Sequence, residues 1–362
     1  MRKILITSIG SRVGQGIVDS LESRRASLTI VGTNSDPTAI SNFRVNVTYL
    51  VPPSAAKEAL LARLRQILEA EQPDLVLAAR DGDLEPLAAL QNEPELSRIR
   101  FLCPPPEVVA IVRDKHLTYE FARDRGLPFA ESAVDADAAD RLIANKGLPL
   151  IGKPRAGNAS VGVSVVRTRE EALAVLARGG TMLQEFLAPP PDLDAGLPDL
   201  RCGMPLHFAV PWQTYFSPLV LTDEKGRVIA YYATRHTLVA GKPTKIAPVL
   251  EPALEEVARA YAAALAELGF IGPLNVQCHR QADGSFVAFE LNARFNGGSS
   301  ARACLGHNEV AYALDYFLEG RLPATTRPPA EPCYIAKPIV DWLVREADVQ
   351  RLANDGQWRP DR

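Results

Sequence analysis

The first hundred residues alternate short apolar runs with stretches whose apolar positions recur every three or four residues. The runs are Ile4–Ile9, Leu28–Val31, Val47–Val51, Leu75–Ala79 and Ile99–Cys103. Between them lie helical patterns at Gln15–Arg24, Ala55–Ala70 and Leu84–Gln91. Within Ala55–Ala70, Leu60, Leu61, Leu64, Ile67 and Leu68 share one helical face. Short apolar strands separated by helices predict a parallel sheet covered on both faces. The expectation is an α/β, doubly wound domain over residues 1–112, closed by the cluster Pro104–Pro106.

Beyond residue 113 the pattern changes. Residues 114–125 and Ala136–Lys146 predict helices, and Pro149–Pro154 and Gly162–Arg167 predict strands joined by a loop of small residues. Thr168-Arg169-Glu170-Glu171 is a capping box opening a helix through Ala177. Met182–Leu187 predicts a strand, followed by Pro189–Pro191 and a loop over residues 189–205. Leu206–Leu221 and Arg227–Leu238 predict long antiparallel strands turning at residues 223–226. Glu251–Leu268 is an amphipathic helical pattern, and Val310–Leu318 is helical. Phe270–Arg280 and Ser285–Asn292 predict a hairpin, and the tail beyond Pro328-Pro329 has little pattern.

That hairpin carries the richest chemistry. Strict strand alternation puts Asn275, Gln277 and His279 on one face and Val276 and Cys278 on the other. On the second strand it groups Val287, Phe289 and Leu291 against Ala288, Glu290 and Asn292, with Arg294 in phase. One face then gathers Asn275, Gln277, Glu290, Asn292 and Arg294: oxygen donors beside a cation. Mg²⁺ takes oxygen ligands, often one or two carboxylates plus substrate phosphates, and arginine pairs with phosphate oxygens. A solvated polar sheet surface accounts for the same pattern.

Three further segments bear on phosphate binding. Lys153 ends a strand and precedes the small-residue loop 155–162, which lets backbone amides approach an anion; a surface hairpin with a solvated lysine is the plain alternative. The loop is not a Walker motif, because G-x-x-x-x-G-K-[ST] is absent. Asp114-Lys115 opens a helix, either as a cap or with the lysine on a phosphate. In Leu183-Gln184-Glu185-Phe186-Leu187 an acid interrupts an apolar strand, facing water or a hydrogen-bonded site.

Composition narrows the classes. The chain has 362 residues, 47% apolar and 23% charged, with net charge −3, so neither disorder nor a basic nucleic-acid footprint is indicated. Five separated cysteines with no C-x-x-C argue against a disulfide framework or zinc cage and fit a reducing cytosol. No apolar stretch approaches the roughly 20 residues of a membrane helix. The expectation is a cytoplasmic protein without membrane or nucleic-acid partners. The 29 prolines punctuate the segments.

In this order and spacing the segments resemble the ATP-grasp superfamily, nearest to the large-chain-like proteins of the carbamoyl-phosphate synthetase branch. The resemblance covers residues 1–320. Its most specific part is Asn275-Val276-Gln277 followed by Phe289-Glu290-Leu291-Asn292-Ala293-Arg294-Phe295-Asn296-Gly297-Gly298. It implies a pre-ATP-grasp domain (1–112), a two-lobed α+β nucleotide-binding module (113–325; lid lobe about 120–185, core lobe about 186–325) and a tail (326–362). It implies Mg²⁺ or Mn²⁺ on Glu290 and Asn292 with Gln277 assisting, and Arg294 on the transferred phosphoryl. It implies ATP on Lys115, Lys153, the lid loop with Gly157, Ser160 and Gly162, and the hinge Gln184, Glu185 and Leu187. The family's ribose glutamate, in a G-x-E sequence after the hinge, is absent; Asp192 or Asp194 would replace it. Only one module fits this length, whereas a carbamoyl-phosphate synthetase large chain carries two.

The activity implied is ligation of a carboxylate to an amine through an acylphosphate, with ADP and phosphate released. Lys153 and Arg294 would be the catalytic cations. Gly10, Asp81, Asn296, Gly298, Ser299 and Arg302 are candidate contacts to the small-molecule substrates, and the family is often dimeric. Asp81 is otherwise a helix cap. Two other readings stand beside this one. Gly10-x-x-x-Gly14-x-Gly16 with Asp36 partly matches a dinucleotide fingerprint and suggests an NAD(P)-dependent dehydrogenase. A non-catalytic nucleotide-binding protein with the same fold is the other.

Overall fold

The computed structural model describes residues 1–157, 161–187, 203–205, 212–239, 242–324, 328–337 and 341–360. The chain opens with β1 (Arg2–Ile6), α1 (Arg12–Ser20), β2 (Leu28–Asn34), β3 (Val47–Leu50), α2 (Lys57–Glu71), β4 (Leu75–Leu77), α3 (Asp81–Leu90) and β5 (Arg100–Leu102). These strands pair in parallel in the order β3-β2-β1-β4-β5. Successive residues of β1 serve opposite faces. Leu5 packs with α2 residues Leu60, Leu64, Ile67 and Leu68, while Ile4 and Ile6 pack with α1 residues Ile17 and Val18. Both faces are therefore covered, as the apolar runs predict.

The middle of the chain supplies α4 (Pro106–Arg113), α5 (Lys115–Asp124), β6 (Ser132–Ala133), α6 (Ala136–Lys146), β7 (Leu150–Pro154), β8 (Ser164–Val166), α7 (Arg169–Leu176), β9 (Thr181–Glu185) and β10 (Met204–Pro205). Strands β10-β8-β7-β9-β6 form a second, antiparallel sheet. It buries Leu150, Val166 and Leu183 against Leu142 of α6 and Val175 of α7. Pro104–Pro106 lead into a helix, with Pro106 at its first position, where a missing N–H costs nothing. Thr168 caps α7 by accepting from the Glu171 amide at 3.2 Å. The return bond from Glu171 goes to the Arg167 amide, one residue earlier than a capping box requires.

The third sheet is built from β11 (Trp212–Thr222), β12 (Val228–Val239), β13 (Lys242–Val249), β14 (Gly272–Arg280) and β15 (Phe286–Asn292), with α8 (Pro252–Ala266) before β14. α9 (Ser299–Cys304), α10 (Glu309–Glu319), β16 (Ile335–Ala336), α11 (Glu346–Asp355) and β17 (Gln357–Trp358) follow. The order is β15-β14-β11-β12-β13-β16, antiparallel throughout. β13 went unseen in the sequence because Pro243, Pro248 and two lysines hide its alternation. The C-terminal segment is not a patternless tail. β16 extends the third sheet beside β13, and β17 extends the first beside β3.

First and third sheets share a core. Phe295, Val310, Leu314 and Phe317 lie against Ile4 and Ile6, as do Leu219 and Leu221. The carboxyl ends of β1 and β4 thus face the end of the β14–β15 hairpin. No helix among the described residues is long and apolar enough to cross a membrane.

Candidate functional site

The hairpin departs from strict alternation at one residue. Asn275 pairs with Asn292, Val276 with Leu291 and Gln277 with Glu290, but Cys278 pairs with Ala288, so Phe289 is a β-bulge. The extra residue swaps the face of everything before it. Phe286 and Ala288 turn into the core with Val276, Cys278 and Leu291. This corrects the sequence expectation that put Ala288 with Glu290 and Phe289 with Leu291. The Phe289 ring instead stacks on His279 at 4.9 Å and meets Tyr215 edge-on at 6.1 Å. Asn275, Gln277, Glu290 and Asn292 share one face, as alternation around them predicts.

Much of this face is enclosed. Asn275 and Asn292 are 0% and 2% exposed. The Asn275 amide nitrogen donates to Ser217 Oγ at 2.8 Å and to the Pro218 carbonyl at 2.9 Å, which fixes its orientation and leaves Oδ1 buried without a partner. The Glu290 carboxylate makes no hydrogen bond or salt bridge among the described residues. A free carboxylate beside amide oxygens fits a hard divalent cation that also draws ligands from phosphates and water. No cluster of three His, Cys, Asp or Glu exists among the described residues, so an all-protein cage is not what this face offers.

Lys153, at the end of β7, is 6% exposed. Its ammonium donates to Gln184 Oε1 at 2.7 Å and to the carbonyl of the bulged Phe289 at 3.4 Å. Burial, and then the charge of Lys115, pull its pKa down to about 7, against an opposing pull from Glu290. Gln184 is itself buried and donates to Ser132 Oγ at 3.2 Å. Its side chain is therefore turned to the lysine rather than free. Asp114 caps α5 through the amides of His116 and Leu117 and pairs with Arg155 at 2.6 Å. Lys115 donates to the Gly157 carbonyl at 2.9 Å, so both ends of the Asp114-Lys115 pair hold the start of the small-residue loop. Glu185 is bridged by Lys146 to Glu131, at 3.3 and 3.1 Å, and Leu187 is buried.

Arg294 lies across the gap between sheets. It donates through one terminal nitrogen to Asn292 Oδ1 at 2.8 Å and to Asp81 Oδ2 at 2.5 Å, and through the other to the Phe295 carbonyl at 3.0 Å. Asp81 is not a cap: Arg80 occupies that position, and Asp81 is the first residue of α3. Asn296 donates to Ser217 Oγ and accepts from the Gly298 amide and from Arg302. Ser299 and Arg302 are fully enclosed, with Arg302 paired to Glu309 at 2.7 Å. Gly10 is pressed against Asn34, whose amide nitrogen lies 2.5 Å from where a Cβ would sit. Ser160 and Asp194 fall outside the described residues, as does Asp192; Gly162 is described at the far end of the loop, in the left-handed region.

Sequence reasoning missed the layer beneath these groups. Tyr215 bonds His236 Nδ1 at 3.1 Å, and Thr234 bonds the other ring nitrogen at 2.9 Å. Burial, Arg302 and then Lys337 hold His236 down to about 3, so it is neutral. Lys337, from the tail, donates to the Gly297 carbonyl. Alternation along β11 and β12 could have found Tyr215, Ser217, Thr234 and His236, which share a face opposite the exposed Arg235. Lys337 had no local signal.

The glycines near the N-terminus have packing uses. A Cβ on Gly14 would lie 2.5 Å from the Ile9 Cα, and Gly16 faces α9. Asp36 spends its carboxylate on the amide and hydroxyl of Thr38. No dinucleotide need be invoked for these residues.

No protein-family model matches the chain. It is similar to D-alanine–D-alanine ligases from Desulfotalea psychrophila (34% identity over 88 residues; 22% of this chain, 27% of the enzyme) and Chromohalobacter salexigens (35% over 123 residues; 33% and 39%). The matches span well under half of those relatives. In structure it resembles N5-carboxyaminoimidazole ribonucleotide synthetase from Thermotoga maritima, with TM-score 0.61 at 19% identity over 90% of this chain and 78% of that one. The Staphylococcus aureus N5-carboxyaminoimidazole synthetase with ADP gives 0.68 at 11% over 98% and 85%. The biotin carboxylase domain of Hydrogenobacter thermophilus 2-oxoglutarate carboxylase with MgADP gives 0.63 at 15% over 90% and 71%. At under 25% identity these structural likenesses show the fold alone, and that fold is the ATP-grasp fold.

Proposed function

We propose that the chain is an ATP-dependent ligase that joins a carboxylate to an amine through an acylphosphate and releases ADP and phosphate. The observation that carries this is the face shared by Gln277, Glu290 and Asn292, with Lys153 and Arg294 set against it. Phosphoryl transfer asks for positioning and charge neutralisation rather than a protein nucleophile, and this face offers both. The ligase names and the ADP and MgADP in the similar proteins support the reading.

In this reading ATP lies between the second and third sheets. Lys115, Lys153, Gly157, Ser160 and Gly162 approach the phosphates. Gln184, Glu185 and Leu187 line the adenine side, and Asp194 stands for the ribose acid. Gln277, Glu290 and Asn292 would hold Mg²⁺ or Mn²⁺, which would supply charge neutralisation for the nucleotide phosphates. A carboxylate oxygen of the substrate attacks the γ-phosphorus and ADP leaves. Lys153 and Arg294 stabilise the charge on the transferring group. The amine then attacks the acyl carbon and phosphate leaves. The acceptors enter from the carboxyl edge of the first sheet, where Gly10 and Asp81 lie, toward Asn296 and Gly298. Buried Ser299 and Arg302 hold that loop. The domain limits 1–112, 113–325 and 326–362 remain the working division, with a cytoplasmic homodimer as the working assembly. The finer likeness to the carbamoyl-phosphate synthetase branch rests on the sequence motifs.

The test is ADP and phosphate release from MgATP against panels of carboxylic acids and amines, with mass spectrometry of the product. ADP and phosphate in equal amounts, formed only with a carboxylate present, support the reading. AMP and pyrophosphate would sink it.

A further inference from the structure

Arg294 and Asn292 are bound to each other while each is assigned a separate task. The Asn292 carbonyl oxygen that would face a cation accepts from Arg294 at 2.8 Å. The Arg294 terminal nitrogen that would face a phosphoryl group is fully used, by Asn292 and by Asp81. When a cation recruits Asn292, one N–H of that nitrogen becomes free for the phosphoryl oxygen. Asp81 then keeps the other. Arg294 is 10% exposed at its side chain, and its Nε is buried without a partner, so Asp81 is the one anionic group among the described residues within salt-bridge distance of it. Asp81 stands on a different layer, at the start of α3, and α3 is anchored below it. Asp83 accepts from Thr7 at 2.6 Å and Ser8 at 3.0 Å, and a Cβ on Gly82 would lie 3.1 Å from Ser54.

We infer that Asp81 is a positioning residue for Arg294: it anchors the guanidinium from the edge of the first sheet so that the arginine meets the γ-phosphoryl group after Asn292 turns to the cation. This rests on the proposed nucleotide site and deepens it, because it gives Asp81 a task other than direct substrate contact. It also ties the edge where the acceptors would enter to the phosphoryl contact. A charge-assisted hydrogen bond from a carboxylate to one N–H of an arginine ties the guanidinium in place as well as balancing its charge.

The experiment compares two probes, MgADP and the magnesium complex of β,γ-methylene-ATP, by calorimetry on the full chain. The readout is the ratio of their affinities, which a general loss of stability does not move. Asp81→Ala should lower the preference for the triphosphate analogue about 5- to 10-fold, while MgADP affinity stays within about twofold. Asp81→Asn, which keeps an acceptor oxygen, should recover most of that preference. Arg294→Met should lose it as fully, and the double variant should lose no more than Arg294→Met alone, because the two residues act as one unit. An unchanged ratio in Asp81→Ala beside a lowered ratio in Arg294→Met overturns the inference, as do losses that multiply in the double variant. If Asp81→Ala does not fold, Asp81→Ser carries the same comparison. An Arg294→Met ratio equal to that of the parent, or Lys153→Met binding MgADP normally, places the failure in the nucleotide site itself.

Discussion

Two regions of this molecule bury polar side chains, and they use them differently. At the carboxyl edge of the first sheet the buried groups mostly satisfy one another, the Ser41 hydroxyl beside Asn42 excepted. Asp83 takes both Thr7 and Ser8, and Asn34 bonds Asn42. On the hairpin face of the third sheet the accounts stay open. Asn275 Oδ1, Asn292 Nδ2 and Arg294 Nε are buried without partners, and Glu290 has none among the described residues. A buried polar atom left unpaired costs about 1–3 kcal/mol, so a fold that keeps several of them together has a use for them. The difference separates polar residues that build a loop from the polar residues we propose as a ligand site.

The largest effect should come from the open side. Glu290→Gln keeps shape and hydrogen bonding but removes the one carboxylate of the face. Magnesium should then stop improving ADP binding, a loss of about 100-fold, at the upper end of what disturbing a metal site costs. Titrating ADP with and without magnesium reads this directly. An unchanged magnesium effect would erase the distinction between the two regions.

Lys153 sharpens the same side. Its folded pKa, about 7, lies below the ordinary lysine value. Phosphate binding favours the charged form, so MgADP affinity should fall as pH rises through 7, by about tenfold between pH 6 and 8. Lys153→Met should bind weakly and lose its share of that slope. The sign for stability is opposite. The unfolded chain holds the proton up to a higher pH, so this lysine costs stability when charged, and the cost is relieved as pH rises above 7.

The closed side should answer differently. Asp83→Ala should lower unfolding free energy by about 1–3 kcal/mol through the orphaned Thr7 and Ser8 hydroxyls, with MgADP affinity unchanged within twofold. Burial also holds the Asp83 carboxyl above its usual value. Stability therefore falls as pH rises past the unfolded carboxyl range, and Asp83→Asn should flatten that slope in thermal melts. A strong loss of nucleotide binding in either variant would mean the first sheet is not merely a support.

The same contrast explains what the sequence revealed. Strands β1 to β5 and α2 were legible because each has one period and two covered faces. The shared face of Gln277, Glu290 and Asn292 was legible because all three lie on one side of the bulge, where alternation is regular and Gln277 pairs directly with Glu290. The faces of Ala288 and Phe289 were not, because a bulge leaves no signature in a run of residues suited to either face. β13 was missed for a related reason: proline stands in a strand near a sheet edge as readily as it marks a break. The pairing of Arg294 with Asp81 spans more than two hundred positions, and nothing local in either segment announces it. Lys337 reaches Gly297 from a segment that joins the edge of the third sheet at β16.

The central claim is that a substrate carboxylate is phosphorylated on this face. It is tested most directly by supplying a turned-over carboxylate labelled with ¹⁸O and examining the released phosphate by mass spectrometry. Transfer of one labelled oxygen into phosphate, alongside ADP and absent with Glu290→Gln, is the predicted result. Unlabelled phosphate from a reaction that still forms product, or label appearing in AMP, would contradict the account.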